Sequence, residues 1–195
     1  MPLTDAQKMI PLPDKKYNII YADPPYSFTG HKYQDSNRGF GNKVEDRYKT
    51  MSIKSICNIP VKKITNDNAL LFMWVVDSHL DKSFDIINSW GFKFATVGFV
   101  WVKQTKNKKF YYNLGKYTMK SSELCLIGLK GKLKNIKKLN NVKSLLLADR
   151  TIHSKKPKII KDKIVELCGD LPRIELFARN VGLFSNNWDY WGNQV

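Results

Sequence analysis

The stretch Tyr17–Tyr26, YNIIYADPPY, decides how the rest of the chain is read. Its first six residues are largely apolar, with two isoleucines at the centre, as in a strand buried on both faces. Asp23-Pro24-Pro25 stops that strand abruptly, because consecutive prolines lock φ and remove two backbone donors. Further runs of the same kind are Ala69–Val76 (ALLFMWVV), Phe92–Val102 (FKFATVGFVWV), Glu123–Leu129 (ELCLIGL), the short Ser144–Ala148 and Arg173–Ala178 (RIELFA). Two amphipathic patterns lie between them. In the first, Asp77 or Ser78 is expected to cap a helix that buries Leu80, Phe84 and Ile87 and closes at Gly91. In the second, Pro157 fits a first helical turn, with Ile160, Ile164 and Leu167 on one face and Gly169 at the end. Apolar strands alternating with helices argue for an α/β domain, its mostly parallel sheet covered by helices. Ligands of such sheets bind beyond the carboxyl ends of the strands, which here means the loops after Ala22 and after Ala178.

Composition narrows the class. The 195 residues are 43% hydrophobic and 26% charged, which fits one compact domain over residues 1–195 and is too apolar for a disordered chain. The longest apolar run is Ala69–Val76, so no membrane span is expected. The opening MPLTDAQKMIPLPDKK has no apolar signal region, and a cytoplasmic protein is expected. Cys57, Cys125 and Cys168 are far apart and read as ordinary thiols, neither a disulfide framework nor a metal spacing. His31, His79 and His153 are equally scattered, and no metal is expected.

The net charge of +16 suggests a polyanionic partner, yet 28 of the 33 basic residues are lysine and asparagine is also abundant, a skew that an A-rich genome would produce unaided. Position says more. Lys103–Lys143 holds 12 lysines and one acid, Glu123, with Phe110, Tyr111, Tyr112 and Tyr117 interleaved. Such a stretch attracts phosphates, and its aromatic rings can stack on bases. Lys106, Lys108 and Lys109 are its leading candidates for nucleic-acid contacts.

Asp23-Pro24-Pro25-Tyr26 is the sharpest chemical signal. The prolines leave carbonyl acceptors and no donors, preceded by a carboxylate and followed by an aromatic ring. That set suits the exocyclic amine of a planar base, which would donate to the Asp23 carboxylate and the Pro24 carbonyl. Accepting those bonds withdraws the nitrogen lone pair from ring conjugation and makes it a better nucleophile. Tyr26 would stack on the base, and a base in a duplex would first have to leave the helix.

On these residues the chain resembles the S-adenosylmethionine-dependent adenine-N6 methyltransferases, the family that includes the catalytic subunit of the eukaryotic messenger-RNA adenosine methyltransferase. It is most similar to their short bacterial and phage members. YADPPY, YKTMS (48–52), ALLFMWV, WGFKF (90–94), VWVK (100–103), ELCLIGLKG (123–131), HSKKP (153–157), RIELFAR and WGNQ (191–194) carry the resemblance from about Tyr17 to the end. It implies a Rossmann-like methyltransferase fold in permuted order, the amine-holding motif first and the cofactor-binding elements mostly last. That order explains the lack of a G-x-G-x-x-G loop before Asp23. Glutamine-methylating relatives are disfavoured, since their motif begins with Asn.

Carried over residue by residue, the resemblance assigns Asp23, Pro24, Pro25 and Tyr26 to catalysis. The family's usual fourth residue is Trp; Tyr26 keeps the aromatic face, and the departure bears on base preference or grip. Lys156, before Pro157, matches the lysine that reaches the methionine carboxylate of the cofactor. Arg179 and Asn180 fall where members contact the cofactor ribose, and Asn193 and Gln194 match the element that grips its adenosine part, with Asp23 at the same site. Glu175 has no assigned role. The polar stretch 23–50 reads as an active-site loop closing over the target base, with His31, Lys32, Arg38 and Arg47 available to phosphates. The function expected is methyl transfer to adenine N6 in DNA. The alternatives are the same chemistry on RNA and a catalytically inactive nucleic-acid-binding partner subunit. A homodimer or a partner chain stays open.

Overall fold

The computed structural model describes residues 10–27, 50–115, 117–150, 155–178 and 187–192. Its strands are β1 (Tyr17–Ala22), β2 (Thr65–Val75), β3 (Lys93–Gln104), β4 (Ser122–Lys130), β5 (Leu145–Asp149), β6 (Arg173–Leu176) and β7 (Trp188–Trp191). Its helices are α1 (Ile53–Cys57), α2 (Leu80–Ser89) and α3 (Ile159–Cys168). The strands form one sheet in the order β5-β3-β4-β2-β1-β6-β7. All neighbours pair in parallel except at β4, which runs antiparallel to both β2 and β3. The sheet is therefore mostly parallel, as the α/β pattern predicts, and its order fits a Rossmann-like methyltransferase fold.

Strand alternation sends the side chains of β1 to opposite faces. Ile20 and Ala22 join Leu71, Met73, Ile86, Ile87 and Trp90 in one core, which α1 and α2 cover. Ile19 and Tyr21 join Phe72, Trp74, Trp101, Ile160 and Ile164 in the other, which α3 covers. The central strands are buried on both sides, which is why β1 and the Ala69–Val75 part of β2 read as nearly unbroken apolar runs.

Local differences from the sequence reading have identifiable causes. A 3₁₀ turn, Asp77–His79, precedes α2, and the helix receives no side-chain cap from Asp77 or Ser78. Ser83, Ile86 and Ile87 face inward, while Phe84 is exposed and packs edge-on against Phe94. Gly91 does close the helix, at φ +86°. Pro157 stands ahead of α3 rather than in its first turn: Lys158 is the N-cap residue, and the Pro157 carbonyl accepts from the Ile160 amide at 3.2 Å. Cys168 replaces Leu167 as the third buried position of that helix. The cysteines are free thiols, Cys57 half-buried and Cys125 and Cys168 buried; burial pushes the Cys168 thiol up to about 12. Among the described residues no helix is long and apolar enough to cross a membrane.

The topology fixes where ligands can sit. β1 lies between β2 on one side and β6 on the other, so the chain leaves β1 in one direction and returns to its opposite flank. That is a topological switch point, and the loops beyond its carboxyl ends diverge to leave a crevice. Ala22 pairs with Leu176, which in turn pairs with Trp191, so the exits of β1, β6 and β7 stand side by side.

Candidate active site

Four charged side chains of alternating sign line up at this edge. Asp23 leaves the end of β1, Lys156 stands in the loop after β5, Glu123 is the second residue of β4, and Lys103 is near the end of β3. Lys156 Nζ lies 2.9 Å from both carboxylate oxygens of Asp23 and 3.1 Å from Glu123 Oε2. Glu123 Oε1 accepts from Lys103 at 2.5 Å. Because β4 alone runs against the other strands, its first residues meet the carboxyl ends of β2 and β3. The reversed strand is what brings Glu123 to the site.

The row is nearly dry; the Lys156 side chain is 11% exposed and that of Glu123 15%. An isolated ion there would be costly, and each is matched by an opposite neighbour. Burial alone would push the Lys156 ammonium down, but Asp23 and Glu123 outweigh it and hold its pKa above the usual value. Burial likewise pushes Glu123 up, and Lys156 and Lys103 outweigh it, holding the carboxyl below its ordinary range. Lys156 also lies over the Trp74 ring, 5.5 Å from its centroid, and Lys103 over Trp101 at 5.3 Å.

The Pro-Pro turn is fixed by backbone bonds. The Pro24 carbonyl accepts from the Tyr26 amide at 2.9 Å, and the Pro25 carbonyl from Met51 at 2.7 Å. Only a second lone pair of Pro24 is thus left for a ligand amine. Tyr26 is 4% exposed, its hydroxyl donating to the Trp74 carbonyl at 3.0 Å and its ring 5.4 Å from that of His79. Burial, then the Asp23 charge, push its phenol well above the ordinary value, so it remains a donor. The ring is a wall of the first core rather than an open platform.

Chain order would not predict how closely the remaining ends converge. Ala178 donates to the Trp191 carbonyl at 3.1 Å, and Phe177 holds φ +62° with its ring stacked on Trp90. A Cβ at Gly192 would come within 2.6 Å of the Ala178 carbonyl, so the close approach of these backbones requires glycine there. Glu175 is an ion-pair partner of Lys161 on α3 and belongs to the scaffold.

The sequence-predicted residues divide accordingly. Asp23, Pro24, Pro25, Tyr26 and Lys156 come together. Arg179, Asn180, Asn193, Gln194, His31, Lys32, Arg38 and Arg47 lie outside the described residues. The Lys103–Lys143 stretch is split between opposite ends of the sheet. Lys103, Lys106, Lys108, Lys109 and Lys120 are at the edge of the site, whereas Lys130, Lys132, Lys134, Lys137, Lys138 and Lys143 follow the far end of β4. Glu123 is the member that the sequence reading missed, although its being the single acid of that stretch is a signal in retrospect. Two surface hollows of about 260 and 400 Å³ lie elsewhere, one against Val97 and Phe99, the other against Pro11 and Trp191. Neither includes the charged row.

Comparison with known proteins decides the class. A family model described as MT-A70 matches residues 17–194. The chain belongs to the MT-A70 family. It is 36% identical over 197 residues to "Type II methyltransferase M.MunI" of Mycoplasma sp, covering 94% of this chain and 80% of that relative. It is 28% identical over 210 residues to "N(6)-adenine-specific methyltransferase METTL4" of Homo sapiens, covering 99% of this chain and 41% of that relative. As an MT-A70 member the chain is an adenine-N6 methyltransferase that uses S-adenosylmethionine. The donor set suits that cofactor: a buried ammonium at the switch point can take an amino-acid carboxylate, and Lys156 is such a group.

Proposed function

We propose that this protein methylates N6 of adenine in DNA, with Asp23 as the group that holds and polarises the amine. The observation carrying the reading is the Asp23 carboxylate at the switch point with the Lys156 ammonium seated on it. S-adenosylmethionine supplies the methyl electrophile. Lys156 is proposed to turn from Asp23 toward the methionine carboxylate of the cofactor while Glu123 keeps hold of it. That exchange frees the Asp23 oxygens for the N6 amine, whose second hydrogen is offered to the Pro24 carbonyl. Positive charge grows on the nitrogen during transfer, and Asp23, fixed beforehand, stabilises it. The proton then leaves to solvent. The buried Tyr26 would flank the base only after a shift at the His79 contact.

Arg179, Asn180, Asn193 and Gln194 are proposed to hold the cofactor's ribose and adenosine; their neighbours Ala178 and Gly192 touch at the same edge. Residues 23–50 are proposed as the loop over the base, and Lys32, Arg38, Arg47, Lys106, Lys108 and Lys109 as phosphate contacts. A second copy or partner chain is compatible with this reading, as is a cytoplasmic location in a bacterium or a phage-infected host. The inactive-partner alternative has less support, because Asp23, both prolines and Lys156 are all present.

The test is transfer of labelled methyl from S-adenosylmethionine to matched DNA and RNA oligonucleotides, single- and double-stranded, beside Asp23→Ala. Label in DNA that digests to N6-methyladenine is expected. Label confined to RNA would keep the chemistry and replace the substrate. No label in the presence of measurable cofactor binding would favour a missing partner or a binding-only role.

A further inference from the structure

Between β3 and β4 the chain makes an excursion, 105–121, that starts and ends at the edge carrying the charged row. It is stiff. Gln104 bridges to Phe110 across a turn, and Asn113 and Lys120 exchange backbone bonds at 2.7 and 2.8 Å. Side chains anchor its stem to both sides of the site: Lys120 pairs with Asp77 at 2.8 Å, and Arg150 lies over the Tyr111 ring at 4.4 Å. Its outer part presents apolar side chains where turn chemistry is ordinarily polar. Leu114 is 79% exposed and Met119 59%, flanking a tip beside Phe110 and Tyr112, which are also exposed. Lysines adjoin it, with Lys106 and Lys109 exposed on the neighbouring turn and Lys108 held on Asp149.

An apolar tip beside lysines is suited to a polyanion with an apolar interior. A stacked duplex is such a partner, its phosphates meeting the lysines and its base steps accepting the side chains. A second copy of this chain is a poor match, because it would bring another +16 against the same lysines. Taking an adenine out of a duplex leaves a gap in the stack, and a rigid apolar group beside the site can fill it.

We propose that the Phe110–Lys120 hairpin is the duplex-opening wedge of this enzyme, with Leu114 and Met119 as the side chains that enter the stack beside the extruded adenine. The proposal rests on the DNA reading above and adds how the base becomes accessible. Leu114 and Met119 belong to neither described core, so their truncation should leave the fold and the chemistry intact.

The experiment compares wild type, the Leu114→Ala/Met119→Ala double variant and Leu114→Met on three DNA substrates. These are a duplex that the wild type methylates, the same duplex with the target adenine opposite an abasic site, and the single strand. The double variant should lose about tenfold or more in initial rate on the paired duplex, and stay within about twofold on the other two, where no pair has to open. Leu114→Met should retain the paired-duplex rate. With 2-aminopurine at the target position, fluorescence should rise when wild type binds and fail to rise with the double variant. Equal losses on all three substrates, or none, would overturn the wedge while leaving DNA methylation standing. So would a fall in oligomeric state by light scattering in the double variant, which would mark the hairpin as a protein interface. Wild-type label found only in RNA or single strands would remove the DNA-duplex premise itself, and the wedge with it.

Discussion

Lys156 stands between two acids, and its position makes it the link of the site's row of alternating charge. Asp23→Ala should reduce transfer by about three orders of magnitude or more, since the group proposed to meet the developing positive charge is gone. DNA retention in a filter-binding assay should persist. Glu123→Gln acts differently, removing the carboxylate that Lys103 and Lys156 share and leaving Lys156 with Asp23 alone. Breaking a buried pair of this kind should lower unfolding stability by about 3 kcal/mol, measured by denaturant titration. The pH dependence has a definite sign. Glu123 is held below its ordinary 4.5, so its stabilisation is full above that pH and fades as pH falls through the lower folded value. Lys156 is held above 10.5, so its stabilisation is full below that pH and fades as pH rises through the higher folded value. Thermal melts should therefore be flat in this contribution from about 4.5 to 10.5, and Glu123→Gln should remove its part of the acid-side decline.

At the scale of elements, the lysines belong to separate ends of the sheet, and that separation can be measured. Changing Lys106 and Lys109 to Gln should flatten the dependence of DNA KM on salt, by about 0.9 in the log–log slope for each phosphate no longer neutralised. Changing Lys132, Lys134 and Lys138 should leave that slope unaltered, because β4 carries them away from Asp23. An equal effect from both sets would mean that the nucleic acid reaches both ends. Sequence alone merges these groups, since linear charge density cannot show that β4 crosses the molecule between them. What it does reveal well is what local chemistry dictates. The boundaries of β1 follow from an apolar run cut by Asp-Pro-Pro. By contrast β7, Trp188–Trp191, is an edge strand of mixed burial, and WDYW has neither a clean alternation nor an unbroken apolar run. The inward face of α2 is misread at Phe84, which lies at the rim of the arc set by Ser83, Ile86 and Ile87 and packs on Phe94 instead. The site shows the same division. Asp23 and Lys156 are legible as motifs, whereas the burial of Tyr26 under a Trp74 carbonyl and the reach of Glu123 depend on strands far apart in sequence.

Over the whole molecule, the permuted order makes the site a junction between the first and last strands. β1 pairs with β6, and β6 with β7, while the segment before β1 returns to clasp β7. Lys15 pairs with Asp189 at 2.6 Å, and Trp191 Nε1 donates to the Ile10 carbonyl at 2.8 Å. A cofactor seated beyond these strands therefore contacts parts of the chain that unfolding would separate, and its binding should register as global stability. Binding to the folded state alone contributes about 2.7 kcal/mol at one hundred times Kd. For a domain of this length, each kcal/mol is about 2–4 °C in Tm. S-adenosylhomocysteine at that excess should thus raise the midpoint by about 5–10 °C in a thermal scan. Lys156→Met should lose most of the shift, because it deletes the ammonium proposed for the amino-acid carboxylate. Leu114→Ala should keep the shift in full, because the hairpin tip lies outside the core that the junction holds together. A normal shift in Lys156→Met would sever Lys156 from the cofactor and leave it only the task of neutralising Asp23.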